Sequence, residues 1–366
     1  MAGLTTAHVD HTLSDGVATR AAVARAFRLP GRSLTISLLV LVAAVMVGTL
    51  VGPAGLGPKA VVLEFVDKLP FVSAESGLTE NQQVILWQWR FSRVVLGGCV
   101  GASLAMAGAG YQGVFRNPLA DPFLLGAAAG AGLGATLVFA FDLAVGWGPF
   151  DSVAVAAFVG ALLGVGLSAF LGQSADRSPA GLLLAGVAVA SFLTAVQTYV
   201  LQRQTDVIRD VYSWIFGRLT TAGWQEPGLL APYLVVCGGV LFVHRRHLDV
   251  LRLGDDEARS LGVQPGRVRL IVVIAASLLT AAAVAVSGLI GFIGVVVPHV
   301  VRLLFGSSYR IVVPLSAVLG AAFMVLADVG ARTVVSPGEL PIGVLTSFVG
   351  APFFALVLRM QRRVNL

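Results

Sequence analysis

The stretch from Tyr111 to Ala135, YQGVFRNPLADPFLLGAAAGAGLGA, sets a polar turn flanked by prolines between two long apolar runs. Pro118 and Pro122 stop one helix and start the next. Gly126, Gly130 and Gly134 then recur every four residues, which puts a flat stripe on one face of the second helix. In lipid, where no hydrophobic force drives apolar helices together, such a stripe lets two backbones approach closely. The stretch therefore reads as a helical hairpin built to lie inside a membrane.

Composition supports the same solvent. Of 366 residues 57% are hydrophobic and 12% charged, with a mean hydropathy of +0.87. A soluble domain carries roughly 25% charged residues. Apolar runs long enough to cross a hydrocarbon core recur from Ser33 onward. We read ten, at about 34–52, 92–112, 120–141, 150–171, 180–201, 228–243, 269–288, 291–305, 311–331 and 343–359. The runs are continuous rather than alternating, which favours helices over a barrel. The expected fold is an all-α polytopic membrane protein of about ten transmembrane helices. It comprises a cytoplasmic tail, 1–33, and a single transmembrane domain, 34–366, carrying an inner loop at 244–269.

With both termini on the cytoplasmic side, seventeen of the 25 Lys and Arg residues lie inside and eight outside. This satisfies the positive-inside rule. The acids distribute the other way, eight inside and eleven outside. The net charge of +6 thus reflects topology, and nucleic acid is not an expected partner. The polar first 33 residues lack a small-residue cleavage site close behind the first apolar run, so a retained first helix is expected rather than a signal peptide. Cys99 and Cys237 fall within spans, where no disulfide is expected.

Catalytic signatures are missing from the sequence. A phosphate-cradling GxxxxGK[ST] loop needs a lysine, and the chain has only Lys59 and Lys68, neither in that context. HExxH, CxxC and GxSxG do not occur. His244 and His247 lie i, i+3 in a basic inner loop without neighbouring Cys or carboxylates, a headgroup-facing pattern rather than a metal site; no metal is expected. Ionisable residues within the spans are scarce. Asp328, near an outer end, is expected to pair with Arg332 at i, i+4 rather than to relay protons. A secondary transporter or channel acting alone would need buried charge pairs or inverted repeats, which are not visible, so the energy source is expected outside this chain.

The inner segment from His244 to Arg269 contains Asp255, Asp256 and Glu257, then Ala258 to Leu261, then Gly262. An acidic first turn and a glycine stop describe a short helix on the cytoplasmic face. Such an element suits the docking of a soluble subunit.

Six ordered segments resemble the permease subunit of type II ABC importers, the FecCD-like family that takes up cobalamin, haem and ferric siderophores. They are RFSRVVLGGCVGASLAMAGAGYQGVFRNPLADPFLLG, LLLAGVA, WIFGRL, LGDDEARSLGV, SGLIGFIGVVVPHVVRLLFG and ELPIGVLTSFVGAPFF, spread over residues 84–360. The resemblance implies the type II importer permease fold in the bacterial cytoplasmic (inner) membrane, a second permease copy in a homodimer or matched pair, two ABC ATPase subunits below and a periplasmic or lipid-anchored binding protein above. ATP and Mg2+ would be bound by the ATPase partners, and no cofactor by this chain.

The resemblance also implies roles. Gly254, Glu257, Ala258, Leu261 and Gly262 match a coupling helix seated in the ATPase. Asn117 and Leu119, with Ser178 and Pro179 in a second turn, match a cytoplasmic gate; some relatives carry hydroxyl residues where Pro179 would stiffen the turn. Arg90, Arg93 and Arg332 match cations that receive acidic side chains of the binding protein. Ser191, Thr194, Gln197 and Thr198 match a pathway-lining helix. The implied cargo is an iron chelate, a ferric siderophore first, with haem or cobalamin next.

Overall fold

The computed structural model describes residues 31–52, 55–68, 70, 74–143, 151–174, 179–219, 223–335 and 338–364. The tail at 1–30, and Ser178 of the expected gate, lie outside the described residues. Pro179 opens a helix, but its side chain is likewise not described. Among the described residues all regular structure is helical.

Ten helices correspond one for one to the spans read from sequence. They are α1 (Gly31–Leu50), α3 (Glu80–Phe115), α4 (Ala127–Phe141), α5 (Ser152–Ser174), α6 (Pro179–Arg203), α8 (Gln225–Leu251), α10 (Pro265–Ser287), α11 (Ile293–Phe305), α12 (Tyr309–Thr333) and α13 (Ile342–Val364). Three short helices join them: α2 (Pro58–Asp67), α7 (Ile208–Ile215) and α9 (Asp255–Ser260). Pro232, Pro298, Pro314 and Pro352 lie within spanning helices. Neighbouring helices can satisfy the backbone groups that proline frees.

The hub is α3, in which every residue from Val100 to Phe115 is buried. Its glycines explain why. A Cβ on Gly101 would sit 2.1 Å from the Gly320 carbonyl oxygen of α12, and one on Gly108 would sit 2.1 Å from the Gly294 oxygen of α11. The stripe on α4 behaves as expected. A Cβ on Gly130 would stand 2.0 Å from Gly160 O and one on Gly134 2.2 Å from Ala156 O, both on α5. The contact is reciprocal, since a Cβ on Gly160 would meet Gly130 O at 2.2 Å. Backbone touches backbone, and no side chain there can move aside.

The small outer helix α2 had no counterpart in the sequence reading. It docks on α3 through its half-buried Phe65, whose ring packs against Trp87 and Phe91. Its buried Glu64 accepts hydrogen bonds from Trp87 Nε1 at 3.1 Å and from Ser76 Oγ at 2.6 Å. Ten residues with one buried face are too short to announce themselves as a span. Between residues 85 and 91 α3 is a π-helical stretch, which shifts the facing of Arg90 and Arg93. Cys99 and Cys237 are free thiols.

Candidate functional site

Four regions that the sequence marked are distributed over the helix bundle. At the outer end the three arginines form a network with Asp328 and Glu339. Arg332 pairs with Asp328 at 3.0 Å, as the i, i+4 spacing predicts, and donates to Val51 O at 3.1 Å and Gly48 O at 3.2 Å on α1. Arg93 reaches Asp328 at 2.8 Å and holds Glu339 in a two-pronged bond at 3.1 and 3.0 Å. Arg90 donates to Thr49 O at 3.3 Å and lies over Gly52.

Arg90 and Arg332 are only 5% and 6% exposed. This corrects the expectation of three surface arginines ready to receive a partner. Arg90 and Arg332 bond carbonyls at the end of α1, and Arg93 is itself only 14% exposed and held by Asp328 and the half-exposed Glu339. The sequence could not show that the end of α1 would fold over them.

Along α6, Ser191, Thr194 and Thr198 share one exposed face with Val187. Thr198 Oγ1 is satisfied by its own helix, donating to Thr194 O at 2.9 Å. Gln197 is different. It is buried, and its Nε2 donates to Thr136 Oγ1 of α4 at 2.9 Å. Gln197 thus joins two helices and does not line the exposed face, a second correction. Its position a hundred degrees around the helix from Thr198 was legible, but the presence of α4 on that side was not.

At the inner end, Leu119 and Ser191 line one cavity of about 520 Å³ together with Asp121, Phe123, Phe292 and Phe354. Two stretches that the sequence treated separately, the turn after α3 and the face of α6, are therefore adjacent. Asn117 shapes that turn: its Oδ1 accepts from Leu119 N at 2.9 Å and its carbonyl from Ala120 N at 3.1 Å. Asp121, which the sequence reading passed over, caps the following 3-10 turn by accepting from Phe123 N at 2.8 Å.

On the cytoplasmic face, α9 is closed as expected. Gly262 takes φ +79°, and its amide and that of Val263 bond to Arg259 O and Ala258 O, both at 2.9 Å. This is the paired-bond glycine stop. Gly254 enters at φ +137°. Leu261 is 61% exposed and Glu257 and Gly262 are exposed, whereas Ala258 is fully buried in the chain's own core. Ala258 is the foot on which α9 stands rather than part of the surface it presents. Asp255 bonds Arg269 of α10 at 2.7 and 2.8 Å and also Arg116. The bonds from Arg269, then its charge and Arg116, hold the Asp255 carboxyl below its usual range against the cost of burial.

Distant motifs also meet. Arg218 N of the WIFGRL segment donates to Ser287 O at 2.8 Å, and Gly343 N of ELPIGV donates to Phe216 O at 2.9 Å. The rings of His244 and His247 lie 5.3 Å apart, tilted at 43° to each other. Among the described residues no group of three His, Cys, Asp or Glu side chains could hold a metal.

A bundle of ten apolar helices, a buried charge network at one end and an exposed short helix at the other define a multi-pass membrane transport protein. Its described architecture aligns over 90% of the chain, and 99% of the other, with a solved structure described as an inward-facing metal-chelate type ABC transporter, at TM-score 0.76 and 27% identity. The chain belongs to the FecCD transport family, whose model matches residues 38–360. It is 41% identical to the ABC transporter permease YvrB of Bacillus subtilis, over 76% of this chain and 80% of that one. It is 39% identical to the cobalamin import permease BtuC of Halobacterium salinarum, over 83% and 80%. Further relatives are named as permeases for ferric citrate, ferric hydroxamate and hemin. The chain is a multi-pass transport permease of the cytoplasmic membrane.

Proposed function

We propose that this chain is the membrane-spanning subunit of an ATP-driven importer, working as two copies with two ABC ATPase subunits and an outer binding protein, and that its cargo is an iron chelate. Ferric siderophores are the first choice and haem or cobalamin the next, in keeping with the cargoes after which its relatives are named.

The observation that carries this reading is the inner face. A six-residue helix stands proud between two glycines of positive φ, with Leu253 and Leu261 exposed at 63% and 61% beside Asp256, Glu257 and Arg259. Apolar side chains ringed by charges on a water-facing loop fit a soluble partner. The sequence carries no GxxxxGK[ST] loop, and on this reading that partner brings the ATP and Mg2+. Above, Arg93 is the least buried of the three arginines, and an acidic side chain of a binding protein would reach it by displacing Glu339, with Arg90 and Arg332 setting the field behind it. Ser191, Thr194 and Thr198 would face the pathway, a weakly polar wall suited to passage rather than retention of a bulky chelate.

Co-expression with a candidate ABC ATPase is expected to yield a complex whose reconstituted vesicles accumulate a chelate only with ATP. Ferric citrate, hemin and cyanocobalamin serve as probes. Leu261→Asp is expected to abolish ATPase co-purification while leaving the permease folded. Uptake that continues unchanged without any ATPase would overturn the reading in favour of a secondary transporter or channel.

A further inference from the structure

The chain has only two lysines, and both belong to α2: Lys59 in its first turn and Lys68 just past its last residue. Both are exposed. The two acids of the helix, Glu64 and Asp67, are engaged elsewhere. Glu64 is held by Trp87 and Ser76, and Asp67 accepts from Ala74 N at 3.0 Å. Lys68 comes no closer to Glu64 than 3.9 Å.

Between α2 and α1 lies a cavity of about 350 Å³. Met46, Thr49 and Leu50 of α1 and Val62, Phe65 and Val66 of α2 form most of its wall. Thr49 is the one polar side chain among the described residues that line it, and its hydroxyl is satisfied by Val45 O at 2.7 Å. Such a wall offers water nothing to bond and accepts apolar guests. Met46 and Val62 are 51% and 44% exposed, so the cavity opens on the outside of the bundle. Leu39, Val42 and Met46, at i, i+3 and i+7, continue it as an exposed apolar stripe along α1.

The lysines frame this opening. Lys59 shares a helix face with Val62 and Val66, three and seven residues on, while Lys68 follows Phe65 by three. They therefore stand on opposite flanks of the wall that α2 gives to the cavity. Trp89, 66% exposed in the π-helical stretch against which α2 docks, is a residue type that gathers at headgroup level.

We propose that the cleft between α1 and α2 is a binding site for an anionic phospholipid, with one acyl chain in the apolar cavity and along α1 and the headgroup phosphate held by Lys59 and Lys68. A lysine ammonium is a compact charge on a flexible stem, suited to a phosphate approached from any direction. Thr49, which lines the cavity, also gives its carbonyl to Arg90. A bound chain thus braces the end of α1 that covers the buried arginines, and lipid is expected to stabilise the protein as it saturates the site.

The test uses the full-length protein in detergent, with native mass spectrometry counting retained phospholipid and a thermal midpoint read beside it. Phosphatidylglycerol and phosphatidylcholine with the same acyl chains are the probes. Phosphatidylglycerol is expected to be retained and to raise the midpoint, and phosphatidylcholine to do neither. Lys59→Gln weakens retention about fivefold, the scale of one basic residue at an anionic surface. Lys68→Gln weakens it less, because Glu64 already offsets part of that charge. Met46→Trp fills the cavity and abolishes retention with both lysines in place. Equal retention of the two lipids by wild type would show a groove that takes any alkyl chain and would overturn the site. Phosphatidylglycerol retention unchanged in the Lys59→Gln, Lys68→Gln double variant would overturn it too, and this variant alters only exposed side chains. A permease dimer that Met46→Trp disperses, with no lipid retained by wild type, would give the groove to a second copy and reject the proposal.

Discussion

Asp328→Asn lowers the stability of the detergent-solubilised protein by about 3–5 kcal/mol, the cost of stranding a buried charge by removing its partner. The reason lies in the balance of the outer network. Arg332 is 6% exposed, and Asp328 is the carboxylate it pairs with, at 3.0 Å. Arg93 shares that carboxylate, and Arg90 lies close enough to repel Arg332. Neutralising Asp328 leaves three guanidinium groups facing one another with only Glu339 nearby, and Glu339 bonds Arg93 alone. A thermal midpoint lower by roughly 10 °C is expected. Adding Arg332→Met to Asp328→Asn recovers most of the loss, because the stranded charge goes with it. A single variant within about 1 kcal/mol of wild type, the scale of an exposed pair, would show that water reaches the cluster and that burial does not govern it.

Gly130→Val prevents formation of a monodisperse folded protein. Its Cβ would stand 2.0 Å from the Gly160 carbonyl oxygen and 2.7 Å from the Gly160 carbonyl carbon. Ordinary overpacking costs about 1–3 kcal/mol because side chains can shift. Here the obstacle is helix backbone, so α4 and α5 must separate, and the contacts at Gly134 and Gly164 separate with them. Gly166→Ala on α5 is the matched control. A Cβ there meets nothing within 4 Å, so this change is expected to leave folded yield unchanged or raise it through better helix propensity. Size-exclusion profiles of the two variants decide the matter. A normal profile for Gly130→Val would mean that the close contact is not required.

These effects divide what the chain announces locally from what it does not. The ten apolar helices, the short helix with its glycine stop and the Asp328–Arg332 pair were all legible, since each depends on residues within one helix or one turn of each other. The stripe at Gly126, Gly130 and Gly134 declared that something would approach closely. It did not name α5. Other features escaped because their cause lies far along the chain: the folding of the end of α1 over Arg90 and Arg332, the engagement of Gln197 by Thr136, and the cavity that brings Leu119 to Ser191. Helix α2 escaped because one buried turn of apolar residues carries too little periodicity to register.

By itself the sequence determined where the ten apolar helices run, because apolar length acts residue by residue on the bilayer and needs no partner helix. Only the tertiary structure decided which charges are buried and which surfaces are free. Burial is a property of what lies opposite a side chain, and in this bundle the opposing residue is often more than a hundred positions away, as Arg93 is from Asp328 and Arg116 from Asp255.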